Sequence, residues 1–211
     1  MPYLFTSESV SEGHPDKVAD QISDAILDAY LSQDPNAKVA VECLITTQRL
    51  LIAGEVTARA QVDPVFIAQQ VLERLGYNDE AVGFDWKTAE ITQVIHQQSP
   101  EIYQSVVDGG AGDQGIMFGH ACRDTPEFMP LAITLSHQIV QKLHELREKS
   151  ILPWLRPDAK AQVTISYQEH EPVSVDTVVV SAQHDPSISQ ADLKAAIIHH
   201  VLEPILQPWL S

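Results

Sequence analysis

The chain has 211 residues, 44% of them hydrophobic, so it is long enough to bury the core of one large domain or of two modest ones. Its 13 basic and 29 acidic residues give a formal net charge of −16, the wrong sign for a surface that binds nucleic acid or an anionic membrane. No basic-then-apolar leader and no apolar run of about 20 residues is visible. The two cysteines, Cys43 and Cys122, do not show the spacing pattern of a disulfide framework. We therefore expect buried free thiols and a reduced, cytoplasmic setting.

The first predicted element is a helix over residues 15–33, preceded by the motif SEGHPDK at residues 11–17. His14 fits the cap position, and the proline after it fits the first helical position, where its missing N–H costs nothing. Backbone N–H groups at a helix start attract anions. The motif therefore predicts an anion site in which Asp16 holds Mg²⁺ while Lys17 and His14 meet phosphate oxygens. The alternative is a well-capped surface helix with solvated charges.

The next elements are a strand hairpin, a helix and a third strand. Residues 38–45 alternate as a strand and contain Glu42, and residues 50–57 form a second apolar run that contains Glu55. A helix begins at Asp63–Pro64 and ends at Gly76, because glycine readily adopts a left-handed stop. A strand at residues 90–98 completes this first unit. The same order of elements then recurs, with a helix at residues 131–149, strands at 162–167 and 173–182, and a helix at 189–206.

Two further motifs stand outside these elements. GAGDQG, at residues 110–115, lies in a linker over residues 98–123, and its glycines allow a backbone to approach a ligand closely. An ordinary flexible connector is the alternative. LPWLRPDAK, at residues 152–160, combines two prolines, a tryptophan and three charges in a stiff approach to the strand predicted from Gln162. Its alternative is a rigid loop anchored by Trp154.

Together, SEGHPDK, GAGDQG and LPWLRPDAK in this order resemble the methionine adenosyltransferases, also called S-adenosylmethionine synthetases, and the resemblance runs from Leu4 to the last residue. It implies an α+β fold of repeated helix–hairpin–helix–strand units, two of a pseudo-threefold set, with mixed or antiparallel sheets and helices on one face. The implied ranges are an N-terminal domain at 1–101, a glycine-rich active-site loop at 102–115, and a central domain at 116–211 that stops before its last strand.

The resemblance also implies a reaction. Enzymes of this family join methionine to ATP: the methionine sulfur displaces the triphosphate from the ribose C5′, and the triphosphate is hydrolysed to phosphate and diphosphate before release. No covalent enzyme intermediate forms. Such a displacement needs in-line placement of sulfur and carbon, and cations, here Mg²⁺ and K⁺, that take up the charge growing on the leaving group.

The resemblance assigns roles to individual residues. His14 and Lys160 would be catalytic; His14, Asp158 and Lys160 would contact ATP; Glu55, Gln98 and Asp113 would bind methionine; Asp16 would hold Mg²⁺ and Glu42 K⁺. Other interpretations stay open. Glu42 and Glu55 would equally suit the exposed faces of half-buried strands, and Gln98 a strand-end cap. The adjacent His199 and His200 point about 100° apart on a helix, so they do not readily hold one metal ion, and they are expected at the surface and at the edge of the core.

The chain also departs from the family. Full-length members continue into a glycine-rich, basic segment that has no counterpart here, and the loop from Ser99 to Gly109 is shorter than usual. We therefore expect a partial active site, in a homo-oligomer (dimer or tetramer) or in a chain complemented by a separate C-terminal chain. An exposed sheet face would favour self-association. A non-catalytic truncated paralogue that binds nucleotide or full-length subunits is the main alternative, and an unrelated α+β domain is the third.

Overall fold

The structure, a computed structural model, describes residues 2–97 and 114–209. In chain order its strands and helices are β1 (Tyr3–Val10), α1 (Pro15–Gln33), β2 (Lys38–Thr46), β3 (Arg49–Thr57), α2 (Pro64–Leu75), β4 (Asn78–Asp79), β5 (Phe84–Asp85), β6 (Glu90–His96), α3 (Leu131–Glu148), β7 (Leu155–Gln168), β8 (Glu171–His184), α4 (Gln190–Ile197) and α5 (Glu203–Leu206). A π-helical turn at Ile198–Leu202 joins the last two helices.

The chain divides into two compact units, which do not follow sequence order. The continuous unit is Pro15–Phe118, and the discontinuous unit combines Met1–His14 with Gly119–Ser211. Residues 1–14 belong to the discontinuous unit because β1 pairs with β7 from the second half of the chain. The domain ranges 1–101, 102–115 and 116–211 stay a prediction.

The continuous unit places two helices on one face of a mixed sheet. Its sheet has the order β2-β3-β6, with β2 and β3 antiparallel and β3 and β6 parallel. Asp63 caps α2 by accepting hydrogen bonds from two backbone N–H groups, and Gly76 ends it in the left-handed region at φ 89°. The helices bury their apolar stripes against alternate strand residues. Members of this core are Val18, Ile22, Ile26, Val41, Leu50, Ile52, Ala68, Leu72 and Leu75.

The discontinuous unit is built on an antiparallel sheet with the order β1-β7-β8. Along β7, side chains alternate between buried and half-buried positions, because successive residues of a strand point to opposite faces. The buried face packs against α3 and the C-terminal helical segment. Members of this core are Leu135, Ile139, Leu143, Ala161, Val163, Ile165, Ile197, Val201 and Leu206. The predicted α+β class, with mixed and antiparallel sheets, is confirmed.

Two predictions about local structure are wrong. No strand was predicted before residue 15, although β1 occupies Tyr3–Val10. The motif at residues 152–160 was predicted to lead into a strand at Gln162, whereas β7 already begins at Leu155. Proline lacks the N–H that a regular strand ladder uses, so Pro157 argued against a strand. The structure accommodates it in a register shift between Leu155 and Ala159.

Smaller expectations concern the cysteines, the paired histidines and the membrane. Cys43 and Cys122 are free thiols, but both are half-buried rather than buried, and burial raises the pKa of Cys43. His199 is exposed and His200 half-buried, as predicted. In the residues that the structure describes, no helix is both long and apolar enough to cross a membrane.

Candidate active site

The SEGHPDK and LPWLRPDAK motifs are joined through the side chain of Ser11. Its hydroxyl donates to the Pro157 carbonyl at 2.8 Å and accepts the N–H of Ala159 at 2.8 Å. Its own N–H donates to the Ala159 carbonyl, also at 2.8 Å. Ser11 is only 5% exposed, so these hydrogen bonds are shielded from water. Ser11 thus continues the β1–β7 pairing beyond its last regular pair, Val10 with Lys160.

Gly13 lets the two motifs approach each other closely. A Cβ atom at Gly13 would lie 2.4 Å from the Pro157 carbonyl oxygen and 2.5 Å from the Pro157 Cβ. Both distances are well below van der Waals contact, and the carbonyl belongs to backbone that Ser11 already holds. Only glycine therefore fits here without displacing β7.

The alternation of β7 brings Asp158 and Lys160 to the face of the sheet that α3 does not cover. Glu8 of β1 lies on the same face, opposite Gln162. The Lys160 ammonium lies 2.8 Å from a Glu8 carboxylate oxygen, with the side chains 42% and 49% exposed. The neighbouring ammonium lowers the pKa of Glu8.

Asp158 occupies a different electrostatic environment from Glu8. Burial raises the pKa of Asp158, because the ionised carboxylate loses hydration, while the charge of His14 acts in the opposite direction. His14 also contributes to the lowered pKa of Glu8. His14, Asp158, Lys160 and Glu8 therefore form one electrostatically coupled group, which we call the basic-acidic cluster.

The continuous unit carries the other predicted residues of SEGHPDK. Asp16 is exposed in the first turn of α1, where the positive end of the helix dipole favours a carboxylate. The Lys17 ammonium lies 2.8 Å from Asp20, one turn further on, and this partner raises the pKa of Lys17. The predicted contact of Lys17 with phosphate therefore competes with an ion pair inside α1.

Glu42 and Glu55 lie on the same face of the β2–β3 hairpin. Glu42 pairs with Ala53 and Glu55 with Ala40, so the two carboxylates are diagonal neighbours. Both point away from the helices. Glu42 is exposed, whereas Glu55 is half-buried. The two residues thus occupy the polar strand positions that the alternative interpretation gave them, and this placement also leaves their oxygens available to a ligand.

The comparisons with known proteins bear on the whole chain. Residues 2–100 match the S-adenosylmethionine synthetase N-terminal domain, and residues 108–211 match the S-adenosylmethionine synthetase central domain. The chain belongs to the S-adenosylmethionine synthetase family. It is 49% identical over 215 residues to the S-adenosylmethionine synthase of Syntrophobacter fumaroxidans, an overlap that covers 99% of this chain and 55% of that protein. The chain thus spans about half the length of this curated relative.

Three parts of the family resemblance lie outside the described residues: Gln98, Asp113, and residues 102–112 of the glycine-rich loop. Among residues 2–97 and 114–209, no three His, Cys, Asp or Glu side chains come together in a way that could hold a metal ion.

Sequence reasoning missed three residues of the site: Glu8, Ser11 and Gly13. Glu8 was hidden because β1 was not predicted, so its position across from β7 was unknown. Ser11 and Gly13 were treated as part of a helix start. A signal was nevertheless present, since a proline on one segment and a glycine on another are typical of close backbone approach.

Proposed function

We propose that this chain contributes part of the active site for the synthesis of S-adenosylmethionine from ATP and L-methionine, with release of phosphate and diphosphate. The observation that carries the proposal is the basic-acidic cluster. The Ser11 hydrogen bonds fix the strand that bears Asp158 and Lys160 beside the loop that bears His14. Lys160 and His14 both act on Glu8, and a lysine and a histidine around one carboxylate suit a polyphosphate.

The proposed chemistry is a single displacement. The methionine sulfur forms a bond to C5′ of the ATP ribose as the bond from C5′ to the triphosphate oxygen breaks, and that oxygen keeps the electron pair. The products of this step are a sulfonium cation and a triphosphate anion, and water then cleaves one phosphoanhydride bond of the triphosphate to give phosphate and diphosphate. Lys160 and His14 would stabilise the charge that grows on the leaving oxygen. Asp158 would orient the nucleotide by accepting hydrogen bonds.

The proposed cations fit the donors that the chain offers. Mg²⁺ commonly takes one or two protein carboxylates and completes its shell with water and phosphate oxygens, so the exposed carboxylate of Asp16 is a suitable donor. When bound, Mg²⁺ would neutralise phosphate charge, which matters for a chain of net charge −16. Glu42 offers K⁺ an exposed carboxylate on the open face of the sheet.

For methionine, the proposal assigns Glu55, Gln98 and Asp113. The half-buried carboxylate of Glu55 suits the α-amino group of the amino acid. The roles of Gln98 and Asp113 rest on the motif resemblance alone.

We also propose that the chain acts as a homo-oligomer, a dimer or a tetramer, or with a complementing C-terminal chain. Three large apolar side chains support self-association. Leu44 is 69% exposed, Leu51 38% and Val94 41%, and strand pairing puts Leu44 opposite Leu51 on the face of the sheet away from α1 and α2. We call this surface the open sheet face. Apolar side chains grouped in this way favour burial against another surface.

The activity is tested by incubating the chain with ATP, methionine, Mg²⁺ and K⁺, with and without the part of the S. fumaroxidans enzyme that lies beyond the match. S-adenosylmethionine is measured by chromatography. We expect product at least in the complemented mixture, and a loss of about a hundredfold or more in Lys160→Ala and Asp16→Asn. Lys194→Ala, an exposed lysine of α4, is the matched control. No product and no nucleotide binding under any condition would refute the proposal.

A second candidate is a non-catalytic chain that binds nucleotide or full-length family subunits. The same basic-acidic cluster would hold a nucleotide without the displacement step. Gel filtration of the chain mixed with the full-length relative, together with an assay for product, distinguishes the two candidate functions. A mixed complex without product supports this candidate, whereas product formation by the complemented chain excludes it.

A further inference from the structure

The ion pair between Glu8 and Lys160 puts a carboxylate beside the ammonium that the proposed function assigns to the triphosphate of ATP. The Lys160 ammonium lies 2.8 Å from Oε1 of Glu8. The other carboxylate oxygen, Oε2, accepts from the amide of Gln162 at 3.4 Å. Glu8 thus has a second partner on β7, which can retain its side chain when Lys160 moves away.

We propose that Glu8 is an internal competitor of the polyphosphate: it holds Lys160 in the nucleotide-free chain and releases it when a polyanion binds. Glu8 is a positioning residue, since it acts through Lys160. This inference rests on the proposed function, because it takes Lys160 as a nucleotide contact.

The strength of the pair suits an exchange of partners. Both side chains are more than two-fifths exposed, and ion pairs in contact with water contribute little, about 0–1 kcal/mol. A triphosphate brings several negative charges and can accept more than one hydrogen bond from the ammonium. The exchange requires only side-chain rotation, because the pairing of Glu8 with Gln162 and of Val10 with Lys160 fixes the backbone.

The test measures binding of inorganic tripolyphosphate, without metal, to the 211-residue chain by isothermal titration calorimetry. Glu8→Gln should tighten binding by about two- to fivefold, the range that a weak surface pair predicts. Glu171→Gln removes the same charge at the far end of the sheet, where Glu171 pairs with Gln168, and should change affinity much less. Lys160→Gln should weaken binding.

The double variant Glu8→Gln/Lys160→Gln separates this role from a general charge effect. If Glu8 acts through Lys160, its removal has no benefit once Lys160 is absent. An equal gain in both backgrounds overturns the inference, as does weaker or unchanged binding in Glu8→Gln. A wild-type chain that binds no tripolyphosphate contradicts the proposed function, and the inference with it. Binding that depends on Lys160 but not on Glu8 overturns the inference alone.

Discussion

Ser11 and Ala159 are joined by two hydrogen bonds of 2.8 Å, one donated by each backbone N–H. The N–H of Ala159 donates to the Ser11 hydroxyl oxygen, which takes the place of the next backbone carbonyl in the pairing of β1 with β7. The hydroxyl then donates to Pro157, so a single side chain holds both ends of the Asp158 segment. The orientation of Asp158 and Lys160 therefore depends on a residue that bears no charge.

Removing the Ser11 hydroxyl should destabilise the fold. Ser11→Ala leaves a buried N–H and a buried carbonyl without this partner, so we expect the free energy of unfolding to fall by about 1–3 kcal/mol. Urea unfolding followed by circular dichroism measures the change. Ser32→Ala, at an exposed serine of α1, is the control and should stay within about 0.5 kcal/mol. Equal stability of the two variants would show that water replaces the hydroxyl.

The close approach at Gly13 predicts a contrast between two glycines. Gly13→Ala forces a methyl group against the Pro157 carbonyl and should reduce the free energy of unfolding by about 1–3 kcal/mol. Gly119→Ala is the matched control, because a Cβ there meets no atom within 4 Å. Thermal unfolding of both variants provides the comparison. A Gly13→Ala chain as stable as Gly119→Ala would contradict the predicted clash.

Elements whose signals are local were predictable from the sequence. The helix α2 carries its own start at Asp63 and its own stop at Gly76, and the hairpin combines the alternating residues of β2 with the apolar run of β3. The strand β1 was not predictable in this way. Three of its first four residues, Tyr3, Leu4 and Phe5, are apolar and exposed, so they show no inward and outward alternation.

The residues of the candidate site also divide into those that the sequence predicts and those that it does not. The charged residues of the motifs could be identified because residue type alone determines the charge and the hydrogen-bonding groups of a side chain. Their neighbours were not, since Glu8 reaches Lys160 only through the register of two strands distant in sequence. Pairing between distant strands leaves no local pattern in either strand.

The half-buried carboxyl of Asp158 predicts a pH-dependent stability. Because its pKa is raised in the folded chain, folding is opposed above that pKa, where the carboxylate is ionised, and the penalty disappears as the pH falls below the ordinary value of 3.8. Asp158→Asn should therefore raise the free energy of unfolding at neutral pH but not in acid. Urea titrations at both pH values measure this, with Asp28→Asn, an exposed aspartate of α1, as control. A variant that is less stable at neutral pH would contradict the sign.

The open sheet face predicts concentration-dependent association. Leu44→Glu places a charge beside Leu51 and should shift the chain toward monomer at micromolar concentration, because burying an unpaired carboxylate is unfavourable. Sedimentation velocity measures the distribution. Ile151→Glu is the control, a comparably exposed aliphatic residue in a loop of the discontinuous unit. A wild-type chain that is monomeric throughout would refute the prediction.

The pairing of β1 with β7 has a consequence for folding during synthesis. Tyr3 lies opposite Tyr167, so the first strand waits for its partner while more than 150 further residues are translated. At the usual 5–20 residues per second, this delay is roughly 10–30 s. The continuous unit, Pro15–Phe118, is complete before β7 exists and can fold in that interval. The N-terminal strand, with its exposed aromatic residues, is therefore a natural ligand for a chaperone on the ribosome.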